Sequence, residues 1–411
     1  MFYFIIYLLS FITLLNRYKN AKKFNLNFFA NPFLYLYILS IFYIIIPASI
    51  YFTGFYQLIE SDENNLNRIE FYSIYYFLIF WFSYLFSKDP VHNKLPFVTS
   101  KLNILGVKIL RFILFLFSLF LFLIIFIKTN GINSSDSRNV KYDIYSSILN
   151  IPSFTFLSWF LIIWTLFLSI IKKRIIYLLL LTPLIYLELI CSSRYYIFIF
   201  IVDIFIYNFY VLKINLNIKK VFIPILILFL IGFIREPPSN VPFNLLDFYS
   251  RTFGEFLNTW STLPLVVQNN YHFDGSLILT FLSFLIPQPF SGIIFGEKKS
   301  YTTFLSNLHE LQIGLGSSII TEGYIYGNFF FFLYPFLIIL VVFLINKKIY
   351  KVKIDGVIIL LLLLSNFFAI FRGSGITNLA TSIMIFFILY ILPKEIFRYL
   401  GLFRNNPKIN V

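Results

Sequence analysis

Apolar residues run along this chain in long uncharged blocks, separated by short clusters of polar and basic residues. A helix crossing the hydrocarbon of a bilayer needs roughly 20 mostly apolar residues, and about 17 suffice when the flanking side chains snorkel. Eleven stretches of that order emerge as candidates, some shorter than the lower limit and one longer than needed: residues 2–15, 33–53, 71–86, 107–127, 154–171, 175–190, 195–212, 221–234, 318–345, 357–371 and 376–392. The first lacks a preceding basic residue and a following small-x-small cleavage site, so it reads as a retained membrane helix. The pattern predicts an all-α, polytopic integral membrane protein of about eleven transmembrane helices.

Lys and Arg collect in every second loop, from Arg17, Lys19, Lys22 and Lys23 to Lys394, Arg398, Arg404 and Lys408. This set holds 21 basic residues against three acids, Asp89, Asp355 and Glu395, whereas the alternate loops hold ten basic residues and a comparable number of acids. The positive-inside rule makes the first set cytoplasmic, with the N-terminus outside (periplasmic) and the C-terminus inside. An odd number of spans is then required, and a missed or invented span would put two basic loops in succession.

The outer loops are unequal. The longest covers residues 235–317, too long for an unstructured connection, and is expected to fold over the outer face. Within it, residues 277–286 are apolar and precede Pro287, Pro289 and Gly292, which suits an interfacial or re-entrant helix. No internal repeat interrupts the chain, so residues 1–411 read as a single integral domain.

Composition agrees with the pattern. Of 411 residues 59% are hydrophobic, 22% aromatic and only 12% charged, with mean hydropathy +0.83. A soluble fold has no means of burying that much apolar surface, which excludes soluble enzymes, disordered chains and secreted disulfide scaffolds. The net charge of +15 is accounted for by cytoplasmic anchoring, with no nucleic acid implied. One cysteine, Cys191, permits no intramolecular disulfide.

Several familiar sites are missing from the sequence. It has no phosphate-binding Walker loop, no Asp-x-Asp pair, and no metal-ligand spacing among His92, His272 and His309. What remains is a set of arginines at the outer ends of helices: Arg194, Arg235, Arg251 and Arg372. Insertion scales charge about 2.5–3.5 kcal/mol for arginine at the bilayer centre, and the topology rule disfavours it on this side. Guanidinium groups bind phosphate through paired planar hydrogen bonds, so an outward-facing cluster suits a lipid phosphate or pyrophosphate. The plainer alternative is that each arginine snorkels to headgroups or pairs with a local acid, such as Glu236 beside Arg235.

Carboxylates inside the spans form the second group. On a helix starting near Ser317, Ser318 and Glu322 share a face, which puts Glu322 within the outer leaflet. An intramembrane acid must face protein or water, and Glu322 is either a functional group or a structural partner for an arginine. His309 is a candidate general base near neutral pH, or a solvated loop histidine. Glu188 and Asp203 are pathway or packing residues.

The run Gly316-Ser317-Ser318-Ile319-Ile320-Thr321-Glu322-Gly323-Tyr324, followed by Gly327, resembles the glycine-serine…glutamate-x-tyrosine…glycine pattern of Wzy-type O-antigen or oligosaccharide repeat-unit polymerases. Supporting similarities are Ser193-Arg194, Ser250-Arg251, Asp274-Gly275-Ser276 with Ile286-Pro287, and Phe371-Arg372-Gly373, while the first half of the chain matches only in hydropathy and length. The resemblance implies a glycosyltransferase-C-like, all-helical enzyme of the bacterial inner membrane, part of lipopolysaccharide or capsule assembly. Its substrate would be an undecaprenyl-pyrophosphate-linked oligosaccharide, and its partners membrane lipids and a chain-length regulator protein. It would need no cofactor and no metal. Arg194, Arg251, Arg372 and Arg235 would hold the pyrophosphate, and Glu322 or His309 would act on the acceptor hydroxyl. An O-antigen ligase using the same lipid-linked glycan, and a lipid-linked oligosaccharide flippase, are the competing readings.

Overall fold

The computed structural model describes residues 2–24, 26, 28, 31–52, 63–89, 102–130, 138–149, 151–191, 195–210, 259–272, 276–286, 293–294, 318–350, 354–372 and 375–403. Among these residues every named element is helical, and the nearest approach to a strand is one isolated bridge between Leu102 and Phe403. Five helices are long and apolar enough to cross a membrane: Pro32–Phe52, Asn64–Phe86, Ile104–Thr129, Ser153–Lys172 and Thr377–Tyr399. Shorter apolar helices cover Ile175–Ile190, Tyr195–Asn208, Phe329–Leu344 and Asp355–Ser365. This is the architecture of a helical membrane protein.

The Ile104–Thr129 helix makes the point residue by residue. Val107, Leu110, Leu114, Ser118, Leu121, Ile125 and Thr129 are buried at three- and four-residue steps, as one face of a helix requires. The opposite face, with Phe112, Phe115, Leu119, Phe122, Leu123 and Phe126, is exposed and equally apolar. In water such a face is a large hydrophobic liability, whereas against lipid tails it is well solvated.

Two sequence expectations need adjusting. Residues 318–345 do not form one span. The chain makes a seven-residue helix Ile319–Ile325, turns at Gly327, and starts a new helix Asn328–Tyr350. Gly327 adopts φ +103°, a conformation open to glycine and strained for other residues. The first apolar stretch is also longer than 2–15, because the helix continues to Lys23 and carries the basic cluster on its last turns. The 221–234 stretch and most of the 235–317 loop lie outside the described residues. Inside that loop, helices Thr262–Asn269 and Leu277–Leu285 are described, the second capped by Ser276.

The chain divides into two compact units. One comprises Met1–Leu95, Phe253–Lys351 and Asn366–Met384; the other comprises Pro96–Thr252, Val352–Ser365 and Ile385–Val411.

In the first unit, the helix Pro32–Phe52 opens with Asn31, whose side chain accepts the Phe33 amide at 3.0 Å, followed by Pro32 at the first turn. The Asn31 side-chain nitrogen donates to Ser87 Oγ at 2.7 Å and to Asp89 Oδ1 at 2.8 Å. Arg17 joins them, donating to the Ser87 carbonyl at 2.8 Å and lying over the Tyr84 ring at 4.9 Å. A residue of the basic set in alternate loops thus binds three helix ends together. Burial pushes the Asp89 carboxyl above the usual carboxylate range, opposed by its bonds to Asn31 and Arg17.

Prolines inside apolar helices withhold an N–H from the carbonyl four residues earlier, which a membrane interior cannot hydrate. Each of two such carbonyls meets a side-chain donor. In the first unit, Pro335 lies within Asn328–Tyr350, and the Phe331 carbonyl accepts the Tyr76 hydroxyl at 3.0 Å. In the second unit, Pro393 leaves the Leu389 carbonyl to the Trp164 indole N–H at 2.7 Å.

The second unit is also closed by its C-terminal segment. The Asn103 backbone N–H donates to the Leu402 carbonyl at 2.9 Å, and its side chain donates to the Gly401 carbonyl at 2.9 Å. A Cβ on Gly106 would stand 2.9 Å from that same Leu402 oxygen, so glycine is what lets the two segments touch. Asp355 accepts Lys394 Nζ at 2.5 Å and the Tyr390 hydroxyl at 2.6 Å, so two more charges of the basic-loop set are bonded to each other.

Candidate functional site: a buried carboxylate in the first unit

The Ile319–Ile325 helix begins at Ser318, whose hydroxyl accepts the Thr321 amide at 3.1 Å. Serine at this position satisfies one of the orphan donors of the first turn. Ser318 therefore caps the helix and does not share a helical face with Glu322, whose N–H donates to the Ser318 carbonyl at 3.0 Å. The two hydroxyls of Ser318 and Thr321 are 2.6 Å apart, and Thr321 Oγ1 is 2.9 Å from Thr262 Oγ1. This relay ties the short helix to Thr262–Asn269.

Glu322 is fully buried. Its Oε2 accepts the backbone N–H of Gly375 at 2.6 Å and a short hydrogen bond from the Tyr334 hydroxyl. Charge-assisted bonds of this kind are worth about twice their neutral counterparts, and they let a carboxylate persist out of water. Gly375 is the first residue of the helix Gly375–Ile385, so the carboxylate also stands at that helix's positive end.

Gly323 is fixed by a different contact. The Tyr76 hydroxyl occupies the place where a Cβ on Gly323 would project, so any larger residue displaces the tyrosine. Tyr76 is itself held by the Phe331 carbonyl. Tyr324 donates its hydroxyl to Asn270 Oδ1 at 3.1 Å, stacks with the His272 ring at 5.8 Å, and packs against Tyr72 at 5.8 Å. Glu322, Tyr324 and Gly327 of the sequence pattern, and Gly323 at its unspecified position, thus do physically separate things. Glu322 anchors, Gly323 gives clearance, Tyr324 contacts Asn270 and His272, and Gly327 turns the chain.

Of the six residues the family resemblance assigns to the site, Glu322 alone is described with its side chain. Arg194, Arg235, Arg251 and His309 lie outside the described residues. Arg372 ends the helix Ile354–Arg372, three residues before Gly375, and its side chain is likewise outside them. Tyr334, Gly375, Tyr76 and Thr262 were not anticipated. Only Pro335, which demands an external donor near Phe331, carried a signal for any of them.

Among the described residues two other carboxyls are fully buried, both in the second unit. Glu188 accepts the Tyr145 hydroxyl at 2.7 Å. Asp203 has no hydrogen-bond partner for either oxygen among the described residues. Cys191 is a buried free thiol, and burial, with Glu188 adding to it, pushes it up to about 11. Among the described residues, no group of three or more His, Cys, Asp and Glu side chains is placed to hold a metal. Comparison with known proteins finds no matching family model, no matching curated protein and no matching solved structure.

Proposed function

We propose that this protein is a membrane glycosyltransferase that polymerises undecaprenyl-pyrophosphate-linked oligosaccharide repeat units at the outer face of a bacterial cytoplasmic membrane. The supporting observation is the Glu322–Gly375 hydrogen bond. It joins the Ser318-to-Gly327 segment, which carries the polymerase-like pattern, to Gly375, three residues after Arg372, which belongs to a second segment of the same resemblance.

In this reading the growing glycan leaves its pyrophosphate carrier and is transferred to a hydroxyl on the non-reducing-end sugar of an incoming unit. The bond from the anomeric carbon to the pyrophosphate oxygen breaks as the new glycosidic bond forms, and the acceptor's proton is taken up. Undecaprenyl pyrophosphate departs with the bonding pair. Charge grows on that leaving group, and cations fixed in advance lower the barrier most when they face it. Arg194, Arg251 and Arg372 are assigned to this role, with Arg235 beside them, and Glu322 or His309 serves the acceptor hydroxyl. Cytoplasmic anchoring of the basic loops leaves the N-terminus and these arginines outside. No cofactor or metal enters the scheme, and a chain-length regulator is the expected protein partner.

The test is reconstitution of the purified protein in liposomes with a synthetic undecaprenyl-pyrophosphate-linked repeat unit. Oligomers of the unit together with free undecaprenyl pyrophosphate support polymerisation. Transfer of glycan only when a lipid A core acceptor is added marks a ligase instead. Translocation of the unit without any new glycosidic bond marks a flippase.

A further inference from the structure

The sequence leaves Glu322 two roles, taking a proton from substrate or holding protein structure. A general base must reach the proton it abstracts within hydrogen-bond distance. Glu322 is fully buried, and its Oε2 is engaged by the Tyr334 hydroxyl and the Gly375 amide. The Gly375 amide belongs to the first turn of its helix, where N–H groups have no intrahelical acceptor. Glu322 thus caps this helix from 53 residues away in sequence. Between Arg372 and this anchored amide stand only Gly373 and Ser374, a glycine and a small polar residue with little intrinsic preference for one backbone path.

We propose that Glu322 is a positioning residue: its carboxylate pins the start of the Gly375 helix and thereby fixes the turn carrying Arg372, and it takes no proton from the acceptor sugar. Tyr334 completes the pin by holding the carboxylate from the neighbouring helix Asn328–Tyr350. The assignment of Arg372 to the leaving pyrophosphate rests on the polymerase reading; the pin itself does not. Within that reading, Glu322 acts on the rate through Arg372, and the acceptor's proton falls to His309 or to water.

The experiment has two arms on the full-length protein in nanodiscs. Backbone hydrogen exchange is followed on a peptide spanning residues 373–380, with a peptide from Pro152–Lys172 as internal control. Glu322→Ala should speed exchange at Gly375 roughly 10–100-fold and leave the control unchanged. Glu322→Gln keeps an acceptor oxygen and should stay within about threefold of wild type. Tyr334→Phe should also retain most protection, because the carboxylate remains. If Glu322→Ala fails to insert, Glu322→Asp takes its place, since the side chain one methylene shorter should lose the Gly375 contact. Wild-type exchange at Gly375 in the Ala or Asp variant overturns the pin.

The second arm measures polymerisation and its pH profile with the lipid-linked unit. Glu322→Gln should restore activity well above Glu322→Ala and keep the wild-type pH profile. Loss of activity in Glu322→Gln with Gly375 still protected overturns the positioning role and returns Glu322 to proton transfer. An inactive wild-type protein counts against the polymerase reading alone, and the exchange arm still decides the pin.

Discussion

The Tyr76 hydroxyl stands 3.0 Å from the Phe331 carbonyl and supplies the donor that Pro335 withholds from it. One side chain thereby repairs the proline break in the Asn328–Tyr350 helix. The same hydroxyl abuts Gly323, the neighbour of Glu322, so the repair and the candidate site share an atom.

Tyr76→Phe removes the donor and leaves a buried carbonyl unsatisfied. The expected cost is about 1–3 kcal/mol, read as a lower midpoint in thermal unfolding of the detergent-solubilised protein. A midpoint equal to wild type means that Phe331 has another adequate donor.

Gly323→Ala places a methyl group on the Tyr76 hydroxyl and should destabilise by about 1–3 kcal/mol, as overpacking does. In the double variant with Tyr76→Phe the obstructing oxygen is gone, so the two costs should fall short of their sum by at least about 0.5 kcal/mol. Strict additivity in this cycle counts against the contact.

Asp89 yields a pH dependence. Its folded-state pKa is raised by burial, so the folded protein holds this proton more tightly than the unfolded chain. Stability therefore rises as pH falls from neutral through the folded value, and the gain is complete below the unfolded value of about 4. Melting temperatures across that window should rise for wild type, and Asp89→Asn should remove this contribution. An unchanged slope in the variant rejects the assignment to Asp89.

Leu119 lies on the exposed apolar face of Ile104–Thr129, next to the buried Ser118 that donates to the Leu180 carbonyl at 2.8 Å. Leu119→Arg should reduce membrane insertion by about 2.5–3.5 kcal/mol in a glycosylation-reporter assay, because the position meets hydrocarbon. A change below about 1 kcal/mol would place this face in a wet environment.

For the proposed chemistry, Arg194→Ala and Arg251→Ala should each lower turnover roughly 10²–10³-fold while membrane insertion stays normal. Polymer ladders from cells carrying each variant provide the readout, and near-normal ladders from both argue against pyrophosphate binding by these arginines.

Much of the helical layout is legible in the sequence, because spans are set by composition over long windows. The apolar stretch 107–127 became Ile104–Thr129, and 154–171 became Pro152–Lys172. Ends ran longer where charged residues continued a helix past the apolar run, as at Arg17 to Lys23. The break at Gly327 was hidden because hydropathy averages over one residue, although a glycine eight residues before Pro335 was a clue. Arg138–Leu149 escaped notice because it is too polar for a span criterion, and Thr262–Asn269 because it is short. At the candidate site, Glu322 stood out as an acid among apolar neighbours. Its donors did not, since Tyr334 is one tyrosine among 29 and an amide such as that of Gly375 has no signature in sequence.

The solitary thiol of Cys191 has a practical consequence. A sulfhydryl enclosed by protein and held up to about 11 carries almost no thiolate at neutral pH, and maleimide chemistry proceeds through the thiolate. The native chain is therefore close to silent toward water-borne thiol reagents. Single cysteines introduced at positions that the sequence places outside its apolar stretches, such as Gly54, Ser135 or Asn406, would report their own side of the membrane against that dark background, with no cysteine-free parent to engineer first.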